Sequence, residues 1–427
     1  MNKVLIVTYY WPPSGGAGVQ RWLKFSKYLP EYGWEPIILT VDPKYAAYPV
    51  IDYSLNEDLP SGLVVHSTRA IDFFSIYKKD KSKIPAAGFA NSLDDTLKGK
   101  FLRFIRGNFF LPDPRKGWNK YAYNKASELI EKEGIKHVVT TSPPHSTQLV
   151  GLKIKKKFPD IKWVADLRDP WTDIYYYNQF YPTFISKAID SRLEKKVLKE
   201  ADRIITVGES LKVLFSSKIK GISEKTEIIT NGYDIADFKD ITVQEPSRFT
   251  ITYVGTLSDI YPVGGLINAL KKLRSAGKDF VIRFVGSVSG NARKQLLSDI
   301  PETFVEFIPY VTHNEAIKFM LSSSVLVLII PFHKSNKSIL TGKLFEYIAA
   351  CKPVLCIGPV DGDAAEILKK CRSGVTVDYT DIENMSEFLA NYDNHSGLPY
   401  RIAVENFSRL NLTKRLVEVL SLNCKQR

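Results

Sequence analysis

Short apolar runs rich in Val and Ile alternate with helical patterns along most of the chain, and few folds accommodate that alternation. In the first half the runs fall at 3–9, 35–41, 63–67, 137–141, 162–166, 203–207 and 227–230. Segments with apolar residues at helical spacing lie between them, at 19–32, 121–133, 145–157, 184–200 and 209–218. A run such as Val4-Leu5-Ile6-Val7 has no polar alternate. A strand of that kind is buried on both faces, as in a parallel sheet covered by helices on both sides. Over 237–247 the composition turns polar, with Lys239, Asp240, Gln244, Glu245 and Pro246. A second series then begins, with strands predicted at 249–254, 280–285, 305–308, 325–330, 353–357 and 374–378. Helices are predicted at 264–276, 314–322, 343–350 and 364–370.

The expected class is therefore α/β with two Rossmann-like domains, 1–240 and 250–399, and a helical segment over 400–427 packing back toward the first. A chain of 427 residues suits two cores, because single cores stop growing near ~250–300 residues. Ligands in such folds bind beyond the carboxyl ends of the strands, so the expected site is a cleft between the two halves.

The formal net charge of +13 calls for an anionic partner: nucleic acid, a phosphorylated substrate or an anionic membrane surface. No zinc finger, RNP-type strand or helix-turn-helix pattern is present, which argues against nucleic acid. Cys351, Cys356, Cys371 and Cys424 form no CxxC pair and have no His-rich neighbourhood, so neither a zinc site nor a disulfide framework is expected. A reducing, cytoplasmic setting fits. Val4–Val7 is too short for the core of a signal peptide, and the longest apolar run, 325–331, is far below the ~20 residues of a membrane span. A soluble protein, peripheral at most at the inner face of the cell membrane, is expected.

Five stretches carry candidate chemistry. Ser338-Ile-Leu-Thr341-Gly-Lys343 is a small polar loop feeding a predicted helix whose N-terminal N–H groups favour an anion such as a diphosphate. Lys343 stands in the first turn, where the helix dipole disfavours a cation, so it needs an anionic partner. Glu346 lies one turn on; it either pairs with Lys343 at i,i+3 or accepts hydrogen bonds from sugar hydroxyls. After the first strand, Trp11-Pro-Pro-Ser-Gly-Gly16-Ala-Gly18-Val-Gln-Arg21 brings glycines between strand and helix. It is not the dinucleotide fingerprint, since Arg21 stands at the third glycine position. His145 in Thr141-Ser-Pro-Pro-His and Asp169 in Asp166-Leu-Arg168-Asp follow strand ends. They are candidates for general-base or charge-stabilising roles. Alternatively, His145 caps its helix and Asp166 pairs with Arg168. Finally, 98–120 interleaves seven basic residues and one acid with Phe101, Phe104, Phe109, Phe110 and Trp118. This suits either an interfacial membrane segment or a core-packing helix with a solvated basic edge.

The chain as a whole resembles the retaining GT-B glycosyltransferases of family 4. The likeness rests on the glycine-rich first loop, on Ala201–Ser210, and on Ile229-Thr-Asn231-Gly-Tyr-Asp234. It also rests on Tyr253-Val-Gly255-Thr256-Leu257 and on Lys343–Gly358. The resemblance implies sugar transfer from a nucleotide-diphosphate donor to a saccharide or lipid-linked acceptor, with retention and without cofactor or obligatory metal. The resemblance further implies a role in cell-surface polysaccharide synthesis. It implies a donor site on the second half made of Gly255, Thr256, Ser338, Thr341, Lys343 and Glu346, closed by Gly16 and Gly18. Arg21, Arg168 and Asn231 are further phosphate or substrate candidates.

The chain also departs from the family pattern. Of the family's paired glutamates Glu346 matches the second, while Ser338 occupies the position of the first. Thr256 stands where an Arg is usual, and Val263-Gly264 replaces Lys-Gly. Lys343, with Arg168 or Arg21, is the substitute for that basic pair. These departures keep two alternatives open: a sugar-nucleotide 2-epimerase on the same fold, and a protein that binds sugar nucleotide without transferring it.

Overall fold

Leu5 and Val7 of the first strand point into one apolar cluster, Val4 and Ile6 into another, and all four are fully buried. The absence of polar alternates is thus explained by helices on both faces of a parallel sheet. The computed structural model describes residues 1–73, 96–239, 241–391 and 401–422; Cys424 lies outside them. The chain divides into two compact units, Met1–Thr230 with Leu412–Arg427, and Asn231–Asn411.

The first unit runs β1 (Asn2–Val7), α1 (Ala17–Tyr28), β2 (Trp34–Val41), β3 (Val64–Thr68), α2 (Leu97–Phe109), α3 (Asn119–Glu133) and β4 (His137–Ser142). It continues through α4 (Ser146–Lys157), β5 (Lys162–Leu167), α5 (Phe184–Glu200), β6 (Arg203–Thr206), α6 (Glu209–Lys218) and β7 (Thr226–Ile228). Its seven strands are ordered β3-β2-β1-β4-β5-β6-β7. All pair in parallel, with Leu5 between Ile37 and Val138.

The second unit runs β8 (Phe249–Val254), α7 (Gly264–Ser275), β9 (Phe280–Val285), α8 (Gly290–Asp299), β10 (Val305–Ile308), α9 (His313–Leu321) and β11 (Val325–Ile329). It continues through α10 (Gly342–Ala349), β12 (Val354–Ile357), α11 (Asp363–Cys371), β13 (Gly374–Val377), α12 (Ile382–Asn391) and α13 (Arg401–Glu405). Its six parallel strands are ordered β10-β9-β8-β11-β12-β13. The same period-2 division recurs: Val325, Val327 and Ile329 enter one cluster, Leu326 and Leu328 the other. Each such buried side chain contributes roughly 1.5–3 kcal/mol relative to exposure.

The terminal helical segment is two helices with different allegiances. Val404 of α13 packs with the second unit. Helix α14 (Arg409–Ser421) buries Leu412, Leu416, Val419 and Leu420 among Val4, Ile6 and Trp22 of the first. Helices α8 and α12 (Ile382–Asn391) were not among the predicted elements, and α2 was foreseen only as a helical spacing over 101–105. The apolar residues of α2 are largely exposed, and those of α8 are only Ala292, Leu296 and Leu297, too few to impose a period.

In both sheets the strand order reverses at one point, between β1 and β4 in the first and between β8 and β11 in the second. Loops 8–16 and 143–145 leave these strands in one unit, and 255–263 and 330–341 in the other; in each unit they flank that unit's own switch point, where doubly wound sheets bind ligands.

Candidate functional site

In the second unit the site forms around α10. Leu344, Phe345, Tyr347 and Ile348 bury one face of this helix, which turns Lys343 and Glu346 away from the core. Tyr347 fixes the helix against β8, its hydroxyl accepting from the Val254 N–H at 2.9 Å. The next residue, Gly255, has φ +115, and a Cβ there would come within 3.0 Å of the Lys343 Nζ. The positive φ requires a glycine, whereas the Lys343 ammonium, the end of a flexible side chain, could shift aside.

Lys343 does not pair with Glu346. Its Nζ donates to the Tyr253 hydroxyl at 2.8 Å and lies 4.3 Å from the centre of that ring, with Tyr261 at 6.0 Å. The Tyr253 hydroxyl in turn donates to the Thr256 carbonyl at 2.8 Å. Burial pushes the Lys343 ammonium down to about 8, against the opposing pull of the nearby Glu346 carboxylate. Glu346 instead meets His313, with Oε1 and Nε2 3.0 Å apart. His313 opens α9, whose start is fixed by a capping box between Thr312 and Glu315.

Thr341 is the N-cap of α10, yet its hydroxyl bonds no backbone N–H, and its Oγ1 is buried without a partner. Gly255, Thr256, Lys343 and Thr341 thus converge on one helix N-terminus, with Glu346 a turn away. Ser338 stands apart, half-buried and donating to the Ser335 carbonyl at 3.2 Å. Asn231 has a buried side-chain oxygen without a partner, and no recorded bond joins it to α10. The Asp361-Gly-Asp363 stretch, which a metal-binding reading would single out, is a turn in which Asp361 pairs with Lys337 and Asp363 begins α11. Among the described residues no group of three or more His, Cys, Asp or Glu is placed to hold a metal ion.

In the first unit the structure corrects several expectations. Arg21 is fully buried rather than turned to a phosphate. Its guanidinium donates to both oxygens of Asp166, at 3.1 and 3.3 Å, and to the Thr230 carbonyl at 2.8 Å. Trp22 Nε1 and Thr141 Oγ1 complete the shell of Asp166, each at 2.7 Å. Asp166 therefore pairs with Arg21, not with Arg168. Arg168 instead donates to the Ser142 carbonyl at 2.8 Å and the Gly18 carbonyl at 3.0 Å, tying the glycine-rich loop to the end of β4. Gly16, with φ +102, is the exposed N-cap of α1.

His145 does not cap α4 with its side chain. Asp113 does so, accepting from the Ser146 N–H at 2.8 Å and from its hydroxyl at 2.8 Å. His145 stacks on Trp171 at 5.0 Å and 14°, and its Nδ1 is buried without a partner. Burial, reinforced by Lys218 and Arg168, pushes its imidazole down to about 3, so it is neutral and a weak base at neutral pH. Trp171 passes the contact on, its Nε1 donating to Asp190 at 3.2 Å beside the Tyr177 hydroxyl at 2.9 Å. Burial pushes the Asp190 carboxyl up to about 6. Asp169, just past β5, also has its carboxyl raised by burial, with Arg168 opposing the shift. Tyr10, Arg106, Arg115, His145, Trp171 and Phe180 line a cavity of about 80 Å³ at this end of the sheet.

Residues 248–392 match the family of group 1 glycosyl transferases. The second unit is a glycosyl transferase group 1 domain. The match covers this domain and leaves 1–247 outside it. Three solved structures share the fold of the whole chain. A glycosyltransferase from Rickettsia africae is 17% identical, with 99% of each chain covered and a TM-score of 0.60. Anabaena HepE in complex with UDP is 13% identical, covering 99% of this chain and 100% of its own, at a TM-score of 0.59. The lipopolysaccharide outer core galactosyltransferase WaaB is 11% identical, covering 98% and 99%, at 0.61. At such identities the likeness is one of fold, GT-B with two Rossmann-like domains. No curated protein matches the chain in sequence. His313 and Tyr253, which complete the α10 site, were not singled out from the sequence. The Thr312-x-x-Glu315 pattern after a predicted strand was the available signal for His313, since it places that residue at a helix start on the ligand-binding edge.

Proposed function

We propose that the transferase moves a sugar, with retention and without a metal, from a nucleoside diphosphate sugar to a saccharide or lipid-linked saccharide. The setting is cell-surface polysaccharide synthesis at the inner face of the cell membrane. The observation that carries the donor class is the convergence at α10. A helix N-terminus without a side-chain cap lies next to a cation held over Tyr253, with a carboxylate one turn away. A diphosphate suits the N–H groups and Lys343, and ribose hydroxyls suit Glu346. HepE, of the same fold, is seen with UDP. The acceptor would use the first unit, where the aromatic and basic cavity, whose lining Tyr176 feels the Asp169 charge, offers ring faces and charge. Asp169 is then the group that offsets positive charge developing on the transferred sugar, a role that the weakly basic His145 supports as a neutral hydrogen-bond partner.

Calorimetric titration with a panel of nucleotide sugars, followed by turnover with lipid-extract acceptors, tests this reading. Glu346→Ala weakens donor binding by about 10- to 100-fold, the loss of hydrogen bonds to a charged group. His313→Ala weakens it by about 3- to 10-fold at unchanged kcat, and His313→Gln, which can still donate to Glu346, restores most of the loss. An unchanged affinity in Glu346→Ala places the donor elsewhere. Tight binding without transfer marks a binding protein, and epimer exchange without acceptor marks an epimerase.

The pH dependence of donor affinity follows from Lys343. The free ammonium is charged below about 8, and a diphosphate favours that form. Donor KM is therefore flat with respect to this group below pH 8 and rises by up to about tenfold per unit above it. Lys343→Arg, whose charge persists, abolishes the rise in a KM–pH profile, even if its overall affinity is lower.

A further inference from the structure

We propose that one face of the first unit, built from α2 and the start of α5, docks on an anionic lipid bilayer. Leu97, Phe101 and Phe104 recur at helical spacing along one stripe of α2, and are 86, 61 and 37% exposed. Of the two readings open for this segment, the structure rules out the core-packing helix for these residues. The stripe continues into Asn108, which binds the stripe to α5. Asn108 Nδ2 donates to the Tyr181 carbonyl at 3.0 Å, and its Oδ1 accepts from the Thr183 N–H at 2.7 Å and from the Ser186 hydroxyl at 2.8 Å.

Just beyond that clamp, Phe184 and Ile185 open α5 at 86 and 69% exposure, with Ile189 one turn on and Tyr181 beside them, both also exposed. The two elements are held closely together. A Cβ at Gly107 would come within 2.3 Å of the Phe180 carbonyl, and the Arg106 guanidinium lies 4.0 Å from the centre of the Phe180 ring. Seven exposed apolar or aromatic side chains thus share one rigid surface, a grouping that soluble surfaces rarely display without a partner.

The charge around this patch selects the occupant. Lys98, Lys100, Lys187 and Arg192 are exposed, and Arg103 lies over Tyr181. No Asp or Glu occurs in 96–112, and the one acid in 181–193, Asp190, is buried beneath Trp171 and Tyr177. An apolar centre bordered by exposed lysines and arginines fits a bilayer interface rich in anionic headgroups: the rings enter the acyl boundary, and the ammonium groups stay at headgroup level. The surface rests on the proposed reading only in giving a lipid-linked acceptor a place to be met, because binding to vesicles needs no turnover.

Sedimentation of the full chain with vesicles tests the proposal. The vesicles are phosphatidylcholine alone, or with about one-third phosphatidylglycerol, at about 0.1 M and about 0.5 M salt. Binding requires the anionic lipid and weakens by at least about tenfold at the higher salt. The triple variant Phe101→Ser, Phe184→Ser, Ile185→Ser loses binding at both salts. The triple variant Lys98→Gln, Lys100→Gln, Lys187→Gln loses it by about tenfold or more at low salt. Nucleotide binding, read on the second unit, and the melting temperature stay unchanged in both. Vesicle binding that is absent, or equal in wild type and variants, overturns the proposal. So does a dimer that the apolar variant dissociates, since the face would then join two copies. Vesicle binding by a protein that binds no nucleotide sugar leaves the surface standing and refutes the donor reading alone.

Discussion

Lys343→Met lowers kcat/KM for the donor by about 10²- to 10³-fold, the effect of removing a fixed cation from a leaving diphosphate. Thr256 and Val263 occupy the positions where the family pattern has Arg and Lys, which leaves that role to Lys343. The same substitution stabilises the free protein. An ammonium pushed from 10.5 down to about 8 is disfavoured in the folded state, and the unfolded chain binds more protons between these values. Stability therefore rises with pH across that window in the wild type. Methionine, similar in length and apolar, removes the dependence and gains about 1–2 kcal/mol near neutral pH, after allowance for partial exposure and the lost contact with Tyr253. Denaturant melts at several pH values, run beside steady-state kinetics, check both halves. A variant that is less active and also less stable would mean that Lys343 is a structural cation.

Arg21→Met destabilises the first unit by about 3–5 kcal/mol, because it leaves Asp166 charged, buried and without its cation. The Thr230 carbonyl loses its donor at the same time. All six tryptophans, Trp11, Trp22, Trp34, Trp118, Trp163 and Trp171, belong to the first unit, so indole fluorescence during urea unfolding reports on that unit alone. The double variant Arg21→Met, Asp166→Leu loses less than the two single changes summed, since it removes both charges together. A loss below about 1 kcal/mol in Arg21→Met would show that the ion pair is replaceable by solvent.

The sheets were legible in the sequence for a physical reason. Strands buried on both faces, such as Val325–Ile329, show as unbroken apolar runs whatever surrounds them. Helix α10 was legible through its burial pattern and through the glycine and polar loop before it. Partner choice was not legible. Lys343 and Glu346 stand at the spacing of a helical ion pair, yet each turns to a residue distant in sequence, Tyr253 on β8 and His313 on α9. Arg21 and Asp166 lie 145 positions apart, so the i,i+2 neighbour Arg168 was the nearer choice for Asp166. His145, at a helix start, invited a capping role that Asp113 fills from a separate turn. Sequence spacing reports which face a residue occupies; which group meets it there is decided by the packing of elements far along the chain.

Helix α14 has a consequence for how the chain is made. Its residues Leu412, Leu416, Val419 and Leu420 complete the apolar layer over Val4 and Ile6, while 231–411 form the other unit. On the ribosome the N-terminal sheet is synthesised first, but it lacks one of its covering helices until the entire second unit has emerged. During that interval Val4, Ile6 and Trp22 are open on one side, which makes the nascent first unit a client for chaperones, whereas the second unit, contiguous in sequence, can fold on its own schedule.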